Sequence, residues 1–255
     1  MKRVFVYKND YRIACSDLGD PNGFPVLIQH GMIASIDDEP LFDHLIAAGM
    51  RVISFARPGY GESTPFEMKC IGEWGEIAAS LLGDLGIDKF DVFGISSGAP
   101  YAYSIANTLP KQVRNVYVLS GIPALYDEQL AAAWPYPVVK NAVMPEMQRL
   151  AFDLFFAGCS DEERMKNDVR DSMRNNCFGP AQDLRIRGMN WGFRLQDLGC
   201  KVTMQHSRSD QLVCAQLTAS MLPNCELIIH EGADHFSQSL LDEFIDKIML
   251  RNRAE

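Results

Sequence analysis

The stretch from Phe90 to Leu109 restricts the possible folds of this chain more than any other. An apolar, β-rich run, Phe90 to Phe93, breaks off at Gly94-Ile95-Ser96-Ser97-Gly98, and a helix-compatible segment from Ala99 to Leu109 begins at once. A strand that turns into a helix within five residues leaves no room for Cβ atoms on either side of the turn. Gly94 and Gly98 are therefore expected to be steric requirements. The pattern is the sequence form of a nucleophile elbow, with Ser96 exposed at the apex and the helix N-terminus beneath it favouring negative charge. Ser97 is out of frame, because Ile95 and Ala99 would then hold the glycine positions. Its expected contribution is its backbone N–H. A P-loop or a dinucleotide fingerprint would need Gly-Lys-Ser/Thr or Gly-x-Gly-x-x-Gly, and neither follows.

The rest of the chain supplies a matching frame. Val4–Tyr7 and Arg12–Ser16 flank Asn9-Asp10 as a hairpin. Pro25–Gln29 and Arg51–Phe55 are short, continuous apolar runs, as expected of strands buried on both faces. Helical patterns follow over Leu41–Ala48, stopped by Gly49, and over Glu73–Leu85, stopped by Gly86. Val113–Leu119 is a further strand. Strand signals then cease from Ile122 to Phe193, where helical patterns are punctuated by Pro and Gly, and resume at Lys201–His206 and Glu226–His230. Alternating strands and helices on both sides of a helical block predict an α/β fold, a mostly parallel sheet carrying an insertion.

A serine hydroxyl needs a base within hydrogen-bond reach, and the base needs a group that orients it. Of the five histidines, His235 is favoured. It lies in Glu231-Gly232-Ala233-Asp234-His235-Phe236, a loop after the last strand, and should open at the same sheet edge as the elbow. His230 falls within a strand, His206 at a strand end further back, and His44 on a helix. Asp210, in a loop after the preceding strand, is the expected orienting acid. Asp234 adjoins His235 too closely for a good side-chain bond, and Asp197 precedes its strand. For the developing oxyanion, the Ser97 N–H and the Met32 N–H of Gln29-His30-Gly31-Met32 are the expected donors. His30 then shapes the loop.

Composition narrows the partners. With 255 residues, 47% hydrophobic and 22% charged, the chain is of globular type. A net charge of −9 excludes the basic footprint of a nucleic-acid binder. The seven cysteines are dispersed without Cys-x-x-Cys spacing, which reads as reduced thiols rather than disulfides or a zinc site. Charges at the N-terminus replace the apolar core of a signal peptide, and no run is long enough to span a membrane, so a cytoplasmic location is expected.

Taken in order, His30-Gly31-Met32, Arg57-Pro58-Gly59-Tyr60-Gly61-Glu62-Ser63, Gly94-Ile95-Ser96-Ser97-Gly98, Asp210 and His235 resemble the α/β-hydrolase fold superfamily over nearly the whole chain. The resemblance implies an eight-stranded, mostly parallel sheet with helices on both faces. It also implies a core domain of residues 1–121 and 194–255 and a helical cap, 122–193, after the sixth strand. The chain departs from this pattern in having Ala56 where relatives commonly carry Asp before Arg-Pro-Gly, and Met32-Ile33-Ala34 where Gly or Pro often follows His-Gly. The expected activity is acyl transfer through a covalent acyl-serine on a small-molecule carboxylic ester of small or medium apolar character, with no metal or organic cofactor. A serine C–C bond hydrolase or a peptidase would use the same residues. A slow-turnover ligand receptor that keeps them is the alternative of another class. The oligomeric state is not legible.

Overall fold

The computed structural model describes residues 2–252 apart from residues 9, 137, 140 and 141. Its strands are β1 (Lys2–Tyr7), β2 (Tyr11–Gly19), β3 (Pro25–Gln29), β4 (Arg51–Phe55), β5 (Phe90–Ile95), β6 (Val113–Leu119), β7 (Lys201–Ser207) and β8 (Cys225–His230). They form one sheet in the order β1-β2-β4-β3-β5-β6-β7-β8. β2 runs antiparallel to both β1 and β4, and every other pairing is parallel. The eight-stranded, mostly parallel α/β architecture expected from the sequence is therefore present. The β1–β2 hairpin forms as read, with residue 9 of its turn outside the described residues.

The helices, in chain order, are α1 (Asp43–Ala47), α2 (Gly72–Asp84), α3 (Ala99–Thr108), α4 (Glu128–Ala133), α5 (Met144–Phe155), α6 (Asp161–Met165), α7 (Asn167–Ile186), α8 (Leu212–Met221) and α9 (Gln238–Asn252). The apolar runs of the central strands are continuous because both faces of the sheet are covered. Successive strand residues point to opposite sides. Leu27, Ile53, Val92, Val116 and Val202 pack with α2 and α3 around Trp74. Their neighbours Val26, Ile28, Val52, Phe93 and Tyr117 pack with α9 through Leu241, Phe244 and Ile245.

The block between β6 and β7 is helical, as its sequence predicts. Its helices α5 and α7 share a small cluster of their own around Met147, Ala151, Phe156, Ala181 and Leu184. α7 is not one straight helix. Asn175, Asn176 and Cys177 take left-handed backbone angles, φ between 53 and 59°. Pro180, a helix breaker in mid-element, is thereby placed near the start of the second half, where a missing N–H costs nothing. Gln148 Nε2 donates to the carbonyls of Asn175 and Asn176, and Asn175 Nδ2 donates to Gly59 O.

β3 is the point where the strand order reverses. The chain goes from β3 outward to β4, then crosses back to β5 on the other side of β3. Loops leaving the carboxyl ends of β3 and β5 therefore diverge and open a crevice between them, the usual ligand position in such sheets.

Candidate active site

Ser96 sits at this crevice, directly after β5, with φ +51°. A left-handed conformation is costly for a residue with a side chain and is kept only where its surroundings enforce it. Those surroundings are the two glycines. A Cβ on Gly94 would lie 2.8 Å from Ala99 Cα of α3, and one on Gly98 would lie 1.9 Å from Gln29 O at the end of β3. The helix presses on one side of the turn and the neighbouring strand on the other, as the sequence predicts. The Ile122 N–H donates to Ser96 O at 3.1 Å, tying the loop after β6 to the apex.

His235 and Asp210 meet Ser96 from the loops after β8 and β7. Three bonds join these loops: Arg208 N–H to His230 O (2.9 Å), Ser209 N–H to Gly232 O (3.1 Å) and the Ser207 hydroxyl to Asp234 O (2.6 Å). His235 Nδ1 lies 2.7 Å from Asp210 Oδ2, and His235 Nε2 lies 2.8 Å from Ser96 Oγ. A carboxylate only accepts, so Nδ1 carries the proton of the neutral ring, and Nε2 is left to accept from the serine hydroxyl. The structure thus brings together the three side chains that the sequence singled out. Three of the residues set aside lie elsewhere. His44 is exposed on α1 beside Asp242 and Asp246. His230 faces Glu243. Asp197 precedes β7 in a short 3-10 turn.

A fourth, His206, set aside in the sequence as further back, does reach the site. His206, buried on β7, holds Nε2 3.5 Å from Asp210 Oδ2, and neither ring nitrogen has a hydrogen bond among the described residues. Burial pushes its pKa below the ordinary value, against the pull of Asp210. The ring is a neutral wall behind the acid. Its i, i+4 spacing from Asp210 across a strand end is the only sequence signal, and that spacing carries meaning on helices rather than here.

The loop after β3 is braced from below. Arg57 is 1% exposed and donates to His30 O at 2.7 Å and Gly31 O at 2.9 Å. Its charge is met by Asp183 of α7, 2.6 Å away. Asp183 also accepts from the hydroxyls of Tyr60 (2.9 Å) and Tyr101 (2.5 Å). Burial alone would lower the Arg57 pKa, but the adjacent Asp183 charge reverses this and the net shift is upward. Ala56 is buried beside Tyr60, and the carboxylate that meets Arg57 of this loop comes from α7. His30 works within the loop: Nδ1–H donates to Gly31 O at 2.8 Å, and Nε2 accepts from Arg57 N–H at 3.3 Å. Burial, helped by the Arg57 charge, holds its pKa well below 6.5, so it stays neutral.

Ser96, Asp210, His235, Met32 and Ser97 all line one cavity of about 1060 Å³, roofed by residues from the helical block. Of the aromatic residues of that block, Trp134, Tyr136 and Phe155 face the cavity. Phe156, Trp191 and Phe193 are buried in the apolar clusters instead. Among the described residues, no helix is long and apolar enough to cross a membrane, and no group of three or more His, Cys, Asp or Glu could hold a metal ion.

Residues 26–246 match the sequence profile of the alpha/beta hydrolase family, and the chain belongs to that family. It is 28% identical, over 54% of its length and 38% of the relative's, to the dihydrolipoyllysine-residue acetyltransferase component of the acetoin cleaving system of Pseudomonas putida. In three curated relatives, of which this is one, the matched stretch spans only 35–50% of the relative's length. It is 25% identical to a 2-hydroxymuconate semialdehyde hydrolase of Pseudomonas putida, over 89% of this chain and 85% of that one. In fold it is similar to a probable hydrolytic enzyme of Pseudomonas aeruginosa PAO1, with a TM-score of 0.74 at 17% identity over 98% of this chain and 93% of the other.

Proposed function

We propose that this chain is a serine hydrolase that transfers acyl groups through a covalent acyl-serine intermediate. The observation that carries this reading is the continuous bond path Asp210–His235–Ser96, at 2.7 and 2.8 Å, ending on a serine held at positive φ in the cavity wall. In this reading His235 removes the Ser96 proton as Oγ attacks the acyl carbonyl. Asp210 holds the ring in the required tautomer and stabilises the imidazolium. The leaving group takes the proton from His235, and water, deprotonated by the same ring, frees the acyl group.

Support for the oxyanion donors comes from the bracing of the loop after β3. The Gly31 carbonyl is fixed on Arg57, and a trans peptide points its C=O and the following N–H in opposite directions. The Met32 N–H is thereby aimed away from the buried guanidinium. The Ser97 N–H is the second donor, at the start of the turn into α3. The block 122–193 acts as the cap: its aromatic residues form an apolar roof that suits a small or medium acyl group. A carboxylic ester is the proposed substrate class.

Labelling by a fluorophosphonate tests the nucleophile. Wild type should be modified at Ser96, and Ser96→Ala should lose both labelling and at least about 10³-fold in kcat on nitrophenyl esters while keeping its Tm. An unlabelled wild type, or a Ser96→Ala protein of full activity, would overturn the reading.

A further inference from the structure

The cavity wall contains a cation that the proposed chemistry does not use. Arg187, immediately after α7, lines the same cavity as Ser96. Its Nε is fully buried and has no hydrogen-bond partner among the described residues, and no described carboxylate lies within ion-pair distance. Its backbone is fixed at both ends: its N–H donates to Asp183 O at 3.3 Å, and its carbonyl accepts from Trp191 Nε1 at 3.0 Å. The guanidinium stands 5.9 Å from the Trp134 ring, and the Trp134 indole N–H is also buried without an acceptor.

Asp183, the acid whose charge acts on Arg187, cannot serve it. Asp183 accepts four hydrogen bonds, two from Arg57 and one each from Tyr60 and Tyr101, which fills the acceptor capacity of a carboxylate. Two guanidinium groups thus share one carboxylate, and the second is left with a through-space attraction alone. Burial shifts the Arg187 pKa downward against that attraction, but a guanidinium stays charged at any working pH. A guanidinium that is half-buried, with its Nε fully buried and unpaired, is costly, so the cation and the unpartnered indole donor together suit an acceptor that carries negative charge.

The other charges of the cavity set the orientation of such a ligand. Asp37 is paired with Lys2 at 2.9 Å, and Asp210 with His235. Asp38 and Asp168 face the cavity without an ion pair among the described residues. Burial, and then the Asp168 charge, push the Asp38 pKa up. Asp168 is in the first turn of α7 and Arg187 follows its last, whereas Asp38 enters from the loop after β3, so the cation and the acids come from different segments of the cavity wall. An anionic group is repelled by one and attracted by the other.

We propose that Arg187, with the Trp134 indole N–H, is a carboxylate subsite, and that the substrates are esters bearing a carboxylate remote from the scissile bond, such as half-esters of dicarboxylic acids. The subsite rests on the hydrolase reading for its chemistry, but its binding can be measured without turnover.

Ser96→Ala protein is titrated with monomethyl adipate and with dimethyl adipate, which differ by one carboxylate. The monoester should bind at least about tenfold more tightly. The difference should vanish in Ser96→Ala/Arg187→Met and be partly restored by Lys at 187, which keeps the charge without the fork. In the wild-type background, Arg187→Met should lower kcat/KM for a 4-nitrophenyl half-ester by about 100-fold, mainly through KM, and leave 4-nitrophenyl butyrate within about threefold. Equal binding of the two adipates, survival of the difference in the Met variant, or equal losses on both esters would overturn the subsite. A fluorophosphonate that fails to label wild type while the adipate difference persists would overturn the hydrolase reading and leave the subsite standing.

Discussion

At the scale of single residues, what matters at the elbow is the absence of atoms. Gly98 and Gly83 are chemically identical, yet their surroundings are opposite. A methyl on Gly98 meets the backbone carbonyl of Gln29 at 1.9 Å, whereas one on Gly83, in α2, meets nothing within 4 Å. Gly98→Ala should destabilise by about 3 kcal/mol, because backbone cannot yield as a side chain can. For a chain of this size that lowers Tm by about 6–12 °C. Gly83→Ala should instead stabilise by about 0.5–1 kcal/mol through helix propensity. Thermal melts of the two variants check the pair, and equal shifts would contradict the packing argument. The need for both elbow glycines was legible in the sequence, since the five-residue strand-to-helix turn demands it. The neutral His206 ring behind Asp210 was not, because its contact crosses the end of a strand in a direction no local pattern encodes.

At the scale of elements, α7 is the part whose place in the molecule depends on long-range polar contacts. Several of its side chains reach loops of the sheet, among them Asp171, Ser172 and Asp183. Asp171 accepts from the Ser35 hydroxyl at 2.5 Å, the Ser172 hydroxyl accepts from Ala34 N–H at 3.0 Å, and Asp183 meets Arg57. Two of these fasten the loop after β3 directly, and the third acts through the Arg57 guanidinium that braces it. Asp183→Asn leaves the 1%-exposed Arg57 charge without its counter-charge. Breaking one side of a buried pair costs about 3–5 kcal/mol. A lowered urea midpoint at unchanged m would register this loss, and a midpoint within error of wild type would refute it. The sequence showed the Arg-Pro-Gly turn and the missing Asp at position 56. It could not show that a carboxylate 127 residues further on, in a helix of the inserted block, answers the same arginine.

The whole molecule carries two buried histidines that fold in the neutral state. His30 and His206 both have pKa values below the 6.5 of a free imidazole, in each case chiefly through burial. Below pH 6.5 the unfolded chain therefore binds more protons than the folded one, and stability falls as pH falls. Asp38, raised from 3.8, works in the opposite sense at more acidic pH and offsets part of the loss there. Tm should decline from pH 7 to pH 5, with a shallower slope in His206→Gln; a flat profile in wild type would contradict the assignment. The sequence by itself determined the alternation of strands and helices, the elbow and its serine, and the two loops that carry Asp210 and His235. These follow from local sterics and hydrophobic periodicity, which act over a few neighbours. Only the tertiary structure decided that α7 supplies the carboxylate for Arg57. It alone placed His206 against Asp210 and left Arg187 in the cavity wall without a described counter-charge. Charge pairing in a low-dielectric interior depends on which distant segments are brought within a few ångströms, and that is set by packing, not by position along the chain.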